Sequence, residues 1–386
     1  MKKVTTLLLA AVLLAGMLPR RAAAVDLNLN AKSALLMDVA TGTVLYEKEC
    51  HERLAPASVT KVMTMLLIME ALDDGRIHLE DQVTASEAAA AKGGSQIYLK
   101  AGETMPVSDM LKSIAVSSAN DCACAMAEHI CGSESAFVEA MNRRAKELGM
   151  QDTHFVNCTG LDDDDSAKLH RTSAYDIALM SRELLKNHPD IKKYTTIWMD
   201  TVRNGAFGLS NTNKLIRFYP GATGLKTGYT AGAGYCLSAS AQKEGMELIA
   251  VVMGAKTSQA RNAACKELLD YGFANFAVVA PEPEELPQVA VRLGKQNRVP
   301  VRMAETAGML IEKSQRSGIT TEISLEESVA APVVRGQTLG SLSVKSGEQT
   351  LRQIPLVAAE DVERLSTGDI FLAVLRRAAM AKEGHE

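Results

Sequence analysis

Ser58 and Lys61, in the stretch "PASVTKVMTM", are spaced so that a hydroxyl and an amine can share a proton. A serine hydroxyl is a poor nucleophile until a neighbouring base takes that proton. A helix starting at Ser58 sets Lys61 one turn on along the same face, and the helix's positive end favours an oxyanion formed at the serine. The amine can act as a base only if burial or nearby cations lower its pKa, so the pair needs a cleft rather than an open helix face. Spacing alone settles nothing, because Ser-x-x-Lys arises by chance about once per 300 residues. Ser240-Ala241-Gln242-Lys243 repeats it, at the end of a predicted strand where neither helical spacing nor a dipole helps.

Two later stretches supply what a serine-lysine site would need. "SSANDC" holds the one Ser-x-Asn triplet of the chain, Ser118-Ala119-Asn120, in a loop that can present a hydroxyl as proton shuttle and an amide as donor to a substrate. "LKTGYT" places Lys226-Thr227-Gly228 in a strand, where a free edge can pair with an extended peptide. Gly228 lets the backbone approach closely, and Lys226 with Thr227 can attract a carboxylate. The similar Lys345-Ser346-Gly347 sits at a predicted turn past a linker, away from this group.

These residues must be positioned by surrounding elements. Two apolar runs around Ala40-Thr41-Gly42 predict a hairpin that opens a sheet. Val62, Met65, Leu66, Met69 and Leu72 recur at the spacing of one helix face, predicting a helix from Val59 to Leu72. Further helices are expected over Val107–Val116, Asp121–Ile130, Glu134–Leu148 and Ser173–Asn187, before the pattern turns to strands from Ala222. A helix over Ser258–Tyr271 then precedes "APEPEELP", a proline-rich acidic linker followed by short strand-like runs separated by turn residues.

Ser-x-x-Lys, Ser-x-Asn and Lys-Thr-Gly in this order resemble the motif set of penicillin-binding proteins and class A β-lactamases. The chain is similar in particular to the low-molecular-weight penicillin-binding proteins that are D-alanyl-D-alanine carboxypeptidases. "GSQIYLKAGE", "FVNCTGLDDDD", "AYDIALMSREL" and "VRGQTLGSLSV" resemble segments of the same family, so the likeness spans nearly the whole mature chain. The resemblance implies an α/β (α+β) serine β-lactamase/penicillin-binding-protein-like domain, an antiparallel sheet with a helical cluster, plus a small C-terminal all-β domain.

It also implies roles. Ser58 would be the acylated nucleophile, Lys61 its base, Ser118 and Asn120 the second element, and Lys226 the carboxylate-binding and proton-relay residue, with Thr227 and Gly228 lining the substrate strand. Backbone amides of Ser58 and Tyr229 would form the oxyanion hole; some relatives carry His where this chain has Tyr229. Arg261 resembles a family arginine near the substrate's terminal carboxylate. The implied substrate is a peptidoglycan stem peptide ending in D-Ala-D-Ala, with β-lactams as inhibitors and no cofactor or metal. A class-A-like β-lactamase, a D,D-endopeptidase and a silent cell-wall binding protein are the rival readings. Glu183-Leu184-Leu185-Lys186-Asn187 comes near the deacylation motif of the first, yet it continues an apolar helix face.

The whole chain bounds these readings. A formal charge of -4 over 386 residues gives no basic field for nucleic acid. Lys2 and Lys3, the apolar run Val4–Leu18 and Ala22-Ala23-Ala24 read as a signal peptide over residues 1–24, implying export to the outer face of the cytoplasmic membrane, the periplasm or the cell wall. Domains are then expected at 25–280 (catalytic) and 281–365 (β-rich), with 366–386 an amphipathic tail that can lie on a membrane or pack as an ordinary terminal helix on its own domain. Cys122, Cys124, His129 and Cys131 look like metal ligands in a line, but helical spacing splits them between opposite faces, which favours core roles. Asp162 to Asp165 lack the alternation and glycine of a calcium loop, and His170 has no nucleophile beside it in sequence.

Overall fold

The strand Ser33–Asp38 (β1) is buried at every position, which is why it reads as an unbroken apolar run. Leu35 and Met37 join the core that holds the helical cluster, while Leu36 points the other way. These are features of a computed structural model that describes residues 27–163, 165–280, 285–305 and 308–380. The expected signal segment, the linker prolines Pro281 and Pro283, and residues 381–386 of the tail lie outside the described residues.

The chain divides into two units, Met1–Gly272 and Phe273–Glu386. In the first, β1 pairs with Val44–Lys48 (β2) through the expected hairpin, whose turn Asp38 Oδ2 closes by accepting from Thr41 N at 2.8 Å. The central helices are Lys61–Asp73 (α1), Val107–Ser117 (α2), Asn120–Cys131 (α3), Glu134–Glu147 (α4) and Ala174–Asn187 (α5). Ser133 and Ser173 cap the last two, their hydroxyls accepting from Ala136 N and Asp176 N. Ala222–Thr230 (β3), Gly234–Lys243 (β4) and Met246–Ala255 (β5) complete an antiparallel five-stranded sheet in the order β2-β1-β5-β4-β3. Ser258–Asn275 (α6) packs on the sheet face opposite the cluster, where a Cβ on Gly272 would meet Leu248 Cδ1 at 2.4 Å and Leu36 Cδ2 at 2.9 Å.

One expectation is corrected. The apolar spacing of α1 predicts a one-faced helix, yet ten of its 13 residues are buried, including Lys61 and Thr64. It is the hub of the cluster, with α2, α3, α4 and α5 around it, so apolar residues occupy nearly every side. A hub of this kind can carry a polar side chain into a dry site, which a surface helix cannot.

The second unit is mainly β. Val301–Met303, Gln349–Ala358, Thr338–Ser346 and Ile319–Leu325 form a four-stranded antiparallel sheet in that order, and Arg298–Val299, Val289–Arg292 and Ser328–Ala330 form a three-stranded one. Leu342, Val344, Ile354 and Leu356 fill its main core from alternate positions of the two long strands. The chain then enters the helix Thr367–Met380 (α7), on which Ile370, Phe371, Leu372, Val374 and Leu375 are exposed.

Candidate active site

Ser58 does not begin the α-helix, as its spacing predicts. It lies in a 3-10 turn, Ala57–Thr60, that leads into α1, and Ala57 before it has φ +48, a left-handed conformation unusual for alanine. Space for this turn comes from Gly160 (φ +81), where a Cβ would lie 1.9 Å from Ala57 O. Asn157 Oδ1 holds that glycine in place by accepting from Gly160 N at 2.7 Å and Thr159 N at 3.2 Å.

Lys61 is fully buried, with Nζ 3.0 Å from Ser58 Oγ and donating to Thr159 O at 2.8 Å. Loss of water brings its pKa down to about 7. The amine therefore spends a large part of its time neutral at physiological pH, beside the hydroxyl it would deprotonate. Thr159 carries no signal in the sequence for this contact, since the acceptor is a backbone carbonyl; the Asn157-x-x-Gly160 turn that aims it is the legible part.

Ser118 stands between α2 and α3, and Asn120 begins α3. Ser118 ends α2 at φ +64, a left-handed cap that aims the following residues into the core. Asn120 is buried, its backbone N–H donating to Ser95 O at 2.7 Å and its Nδ2 to Gly93 O at 2.7 Å. One of the two Nδ2 hydrogens is thus bound to the loop, and Oδ1 is buried without a partner among the described residues. Asp121 pins the same loop by accepting from Ile97 N at 3.1 Å and Leu99 N at 2.9 Å. Sequence reasoning misses Asp121, although it adjoins the Ser-x-Asn triplet.

Lys226, Thr227 and Gly228 lie on β3, the edge strand that faces the Ser58 turn. A Cβ on Gly228 would sit 2.6 Å from Pro56 O and 3.0 Å from Val59 N, so only glycine permits this approach. Lys226 is buried, donates to Thr227 O at 2.9 Å, and is held well below the usual lysine range by burial first, then by Lys61 and Arg261. Thr227 Oγ1 donates to Thr212 Oγ1 at 2.7 Å. Arg261, on α6, is buried with its guanidinium 5.8 Å over the Tyr235 ring. Tyr229 is exposed and stacks on Tyr235 at 4.3 Å. Among the described residues no carboxylate forms an ion pair with Lys61, Lys226 or Arg261, so an anionic ligand reaching Lys226 and Arg261 would meet no competing carboxylate there.

The structure keeps the second Ser-x-x-Lys, Glu183 and the cysteine group apart from this chemistry. Ser240 Oγ meets Thr223 Oγ1 at 2.7 Å while Lys243 Nζ reaches Tyr219 OH, so the second Ser-x-x-Lys is not a pair. Glu183 is bound by Arg144 at 2.6 Å, and Arg144 also reaches Glu70. Cys122 and Cys124 are core residues, His129 is exposed, and all seven cysteines are unpaired. His170 is buried behind the Ser58 turn.

A lysine buried beside a half-buried serine, a Ser-x-Asn segment between two helices of the cluster and a Lys-Thr-Gly edge strand against the serine's turn are the elements of a serine acyl-transfer enzyme of the penicillin-binding-protein class. Comparison with known proteins agrees: residues 20–257 match the model for D-alanyl-D-alanine carboxypeptidase, and residues 280–364 match that for the C-terminal domain of penicillin-binding protein 5. The chain belongs to the D-alanyl-D-alanine carboxypeptidase family. It is 44% identical to the D-alanyl-D-alanine carboxypeptidase DacF of Bacillus subtilis over 98% of both chains. It is similar in structure to penicillin-binding protein 5 of Haemophilus influenzae, with a TM-score of 0.75, 30% identity, and coverage of 89% of this chain and 100% of that one. Penicillin-binding protein D2 of Listeria monocytogenes in its ampicillin-bound form matches 64% of this chain and all of its own at 31% identity and a TM-score of 0.57.

Proposed function

We propose that Ser58 is acylated by the penultimate D-alanine of a peptidoglycan stem peptide, with release of the terminal D-alanine. The single observation that carries this reading is Lys61 Nζ, 3.0 Å from Ser58 Oγ with a pKa of about 7. As Oγ attacks the carbonyl, its proton passes to the neutral Lys61 amine, and the C–N bond breaks once a proton reaches the departing nitrogen. Ser118, in its left-handed cap, serves as the hydroxyl that relays that proton. The carbonyl oxygen takes up negative charge between the backbone amides of Ser58 and Tyr229. Lys226, Thr227 and Arg261 receive the terminal carboxylate, whose charge would favour the protonated form of the buried Lys226. Water then cleaves the ester and frees the enzyme.

The same attack on a β-lactam would leave an ester on Ser58, and a similar protein of Listeria monocytogenes has a structure in an ampicillin-bound form. The cell envelope is the proposed place of action, with α7 lying on a membrane surface through Ile370, Phe371, Val374 and Leu375. No helix among the described residues is long and apolar enough to cross a membrane.

Labelling with a fluorescent penicillin followed by mass spectrometry tests the reading. An adduct on Ser58 that persists for minutes, with D-alanine released from a D-Ala-D-Ala peptide, is expected. Absence of the adduct sinks the nucleophile assignment, and hydrolysis of the adduct within seconds favours a β-lactamase.

A further inference from the structure

We infer that His170 is a positioning residue for the oxyanion hole, acting on the Ala57–Ser58 peptide unit through Thr60. This inference rests on the assignment of Ser58 as nucleophile. His170 and Thr60 are both buried. Val156 N donates to His170 Nδ1 at 3.2 Å, so this nitrogen is the acceptor of the ring, and in the neutral imidazole the hydrogen is on Nε2. Nε2 lies 2.8 Å from Thr60 Oγ1 and donates to it. With an oxygen lone pair engaged, the Thr60 hydroxyl directs its own hydrogen to Ala57 O at 2.8 Å. Three hydrogen bonds thus run in one direction, from the Val156 backbone to the Ala57 carbonyl.

The end point of this relay matters because a peptide unit is planar and trans. Ala57 C=O and Ser58 N–H belong to one rigid plane, so whatever fixes the carbonyl fixes the amide that points to the opposite side. That amide is a proposed oxyanion donor, and such donors act only when aimed before the charge develops. Ala57 also needs an anchor more than most residues, since its φ of +48 is disfavoured for a side chain with a Cβ. Gly160 makes room for the carbonyl, and the relay supplies the hydrogen bond that holds it there. Burial keeps the imidazole pKa down at about 3, so the direction of the relay does not reverse through the pH range in which a cell wall is built. Phe155 packs edge-on against the ring at 5.6 Å and limits its rotation.

Four variants test this relay. Asn at position 170 keeps an acceptor near Nδ1 and loses the far donor, whereas Gln keeps a donor near Nε2. Thr60→Val removes the hydroxyl at equal volume, and Thr60→Ser restores it. For His170→Asn and Thr60→Val we expect acylation by fluorescent penicillin to slow by ~10–100-fold, with kcat on a D-Ala-D-Ala peptide falling alike and KM changing less than about 3-fold. Thr60→Ser and His170→Gln should recover most of that loss. A tetrahedral boronate, which carries the oxyanion, should lose affinity about as much as the rate falls. His170→Asn or Thr60→Val acylating at the wild-type rate overturns the proposal. So does a loss in all four variants that follows their melting temperatures, which would make the contact structural. Failure of the wild-type chain to acylate at all strikes the nucleophile assignment instead.

Discussion

Lys61 Nζ lies 3.0 Å from Ser58 Oγ, and its other partner is an uncharged carbonyl, Thr159 O. Burial lowers the pKa of an amine so placed to about 7, against smaller opposing pulls from Cys158 and the Asp121 carboxylate. The acid-base behaviour of the site follows from this arrangement.

The pH dependence of acylation has a definite sign. Burial lowers the Lys61 pKa from 10.5 to about 7, and only the neutral amine accepts the serine proton. The acylation rate should therefore fall roughly tenfold per pH unit below about 7 and level off above it. Stopped-flow labelling from pH 5 to 9 checks this; a rate unchanged down to pH 5 rules out the amine as base.

Lys226 should cost stability where it supplies function. Its folded pKa is lowered below the ordinary value near 10.5, so the unfolded chain binds more protons over the interval between the two. The penalty is full below the folded pKa and disappears as pH rises past 10.5. Lys226→Met should then stabilise the domain at neutral pH by ~1 kcal/mol, about 2–4 °C in melting temperature, while D-alanine release drops at least ~100-fold. A lower melting temperature by calorimetry would count against this account.

Gly228→Ala tests the backbone contact between strand and turn. Its Cβ would press on Pro56 O at 2.6 Å and on Val59 N at 3.0 Å, so the strand or the turn must move. We expect ~1–3 kcal/mol of destabilisation and a loss of acylation of ~10²-fold or more in a chain that still folds. Penicillin labelling at the wild-type rate would show that the approach is looser than described.

Truncation before Ser366 tests the tail. Five large apolar side chains on α7 are exposed, from Ile370 to Leu375. Their removal should abolish cosedimentation with anionic vesicles and leave D-alanine release unchanged. Equal cosedimentation of both forms would remove α7 as the anchor.

Much of this was legible in the sequence because periodicity and punctuation agree. The helices after Ser133 and Ser173 start at the capping serines, and the hairpin at Thr41-Gly42 and the strand carrying Lys226 fall where they are expected. The illegible parts share a cause. Thr159 acts through its carbonyl, Ala57 through its φ, and Gly93 through an oxygen that takes the Asn120 donor, so side-chain identity says little about any of them. Arg261 illustrates the reverse difficulty: its burial depends on the sheet face on which α6 packs, which a single helix pattern does not encode.

The contact of Gly228 and Gly160 with the Ala57 turn bears on antibiotic resistance. Backbone atoms set the spacing between the nucleophile and both walls beside it, and the nearest atom to each glycine is a main-chain one, Ala57 O for Gly160 and Pro56 O for Gly228. Selection by a β-lactam therefore finds no residue there whose replacement narrows the pocket against the drug and spares the peptide. Escape mutations should gather instead in the segment from Gly93 to Leu99, whose backbone is tied to α3 by Asn120 and Asp121 and whose side chains are free of that constraint.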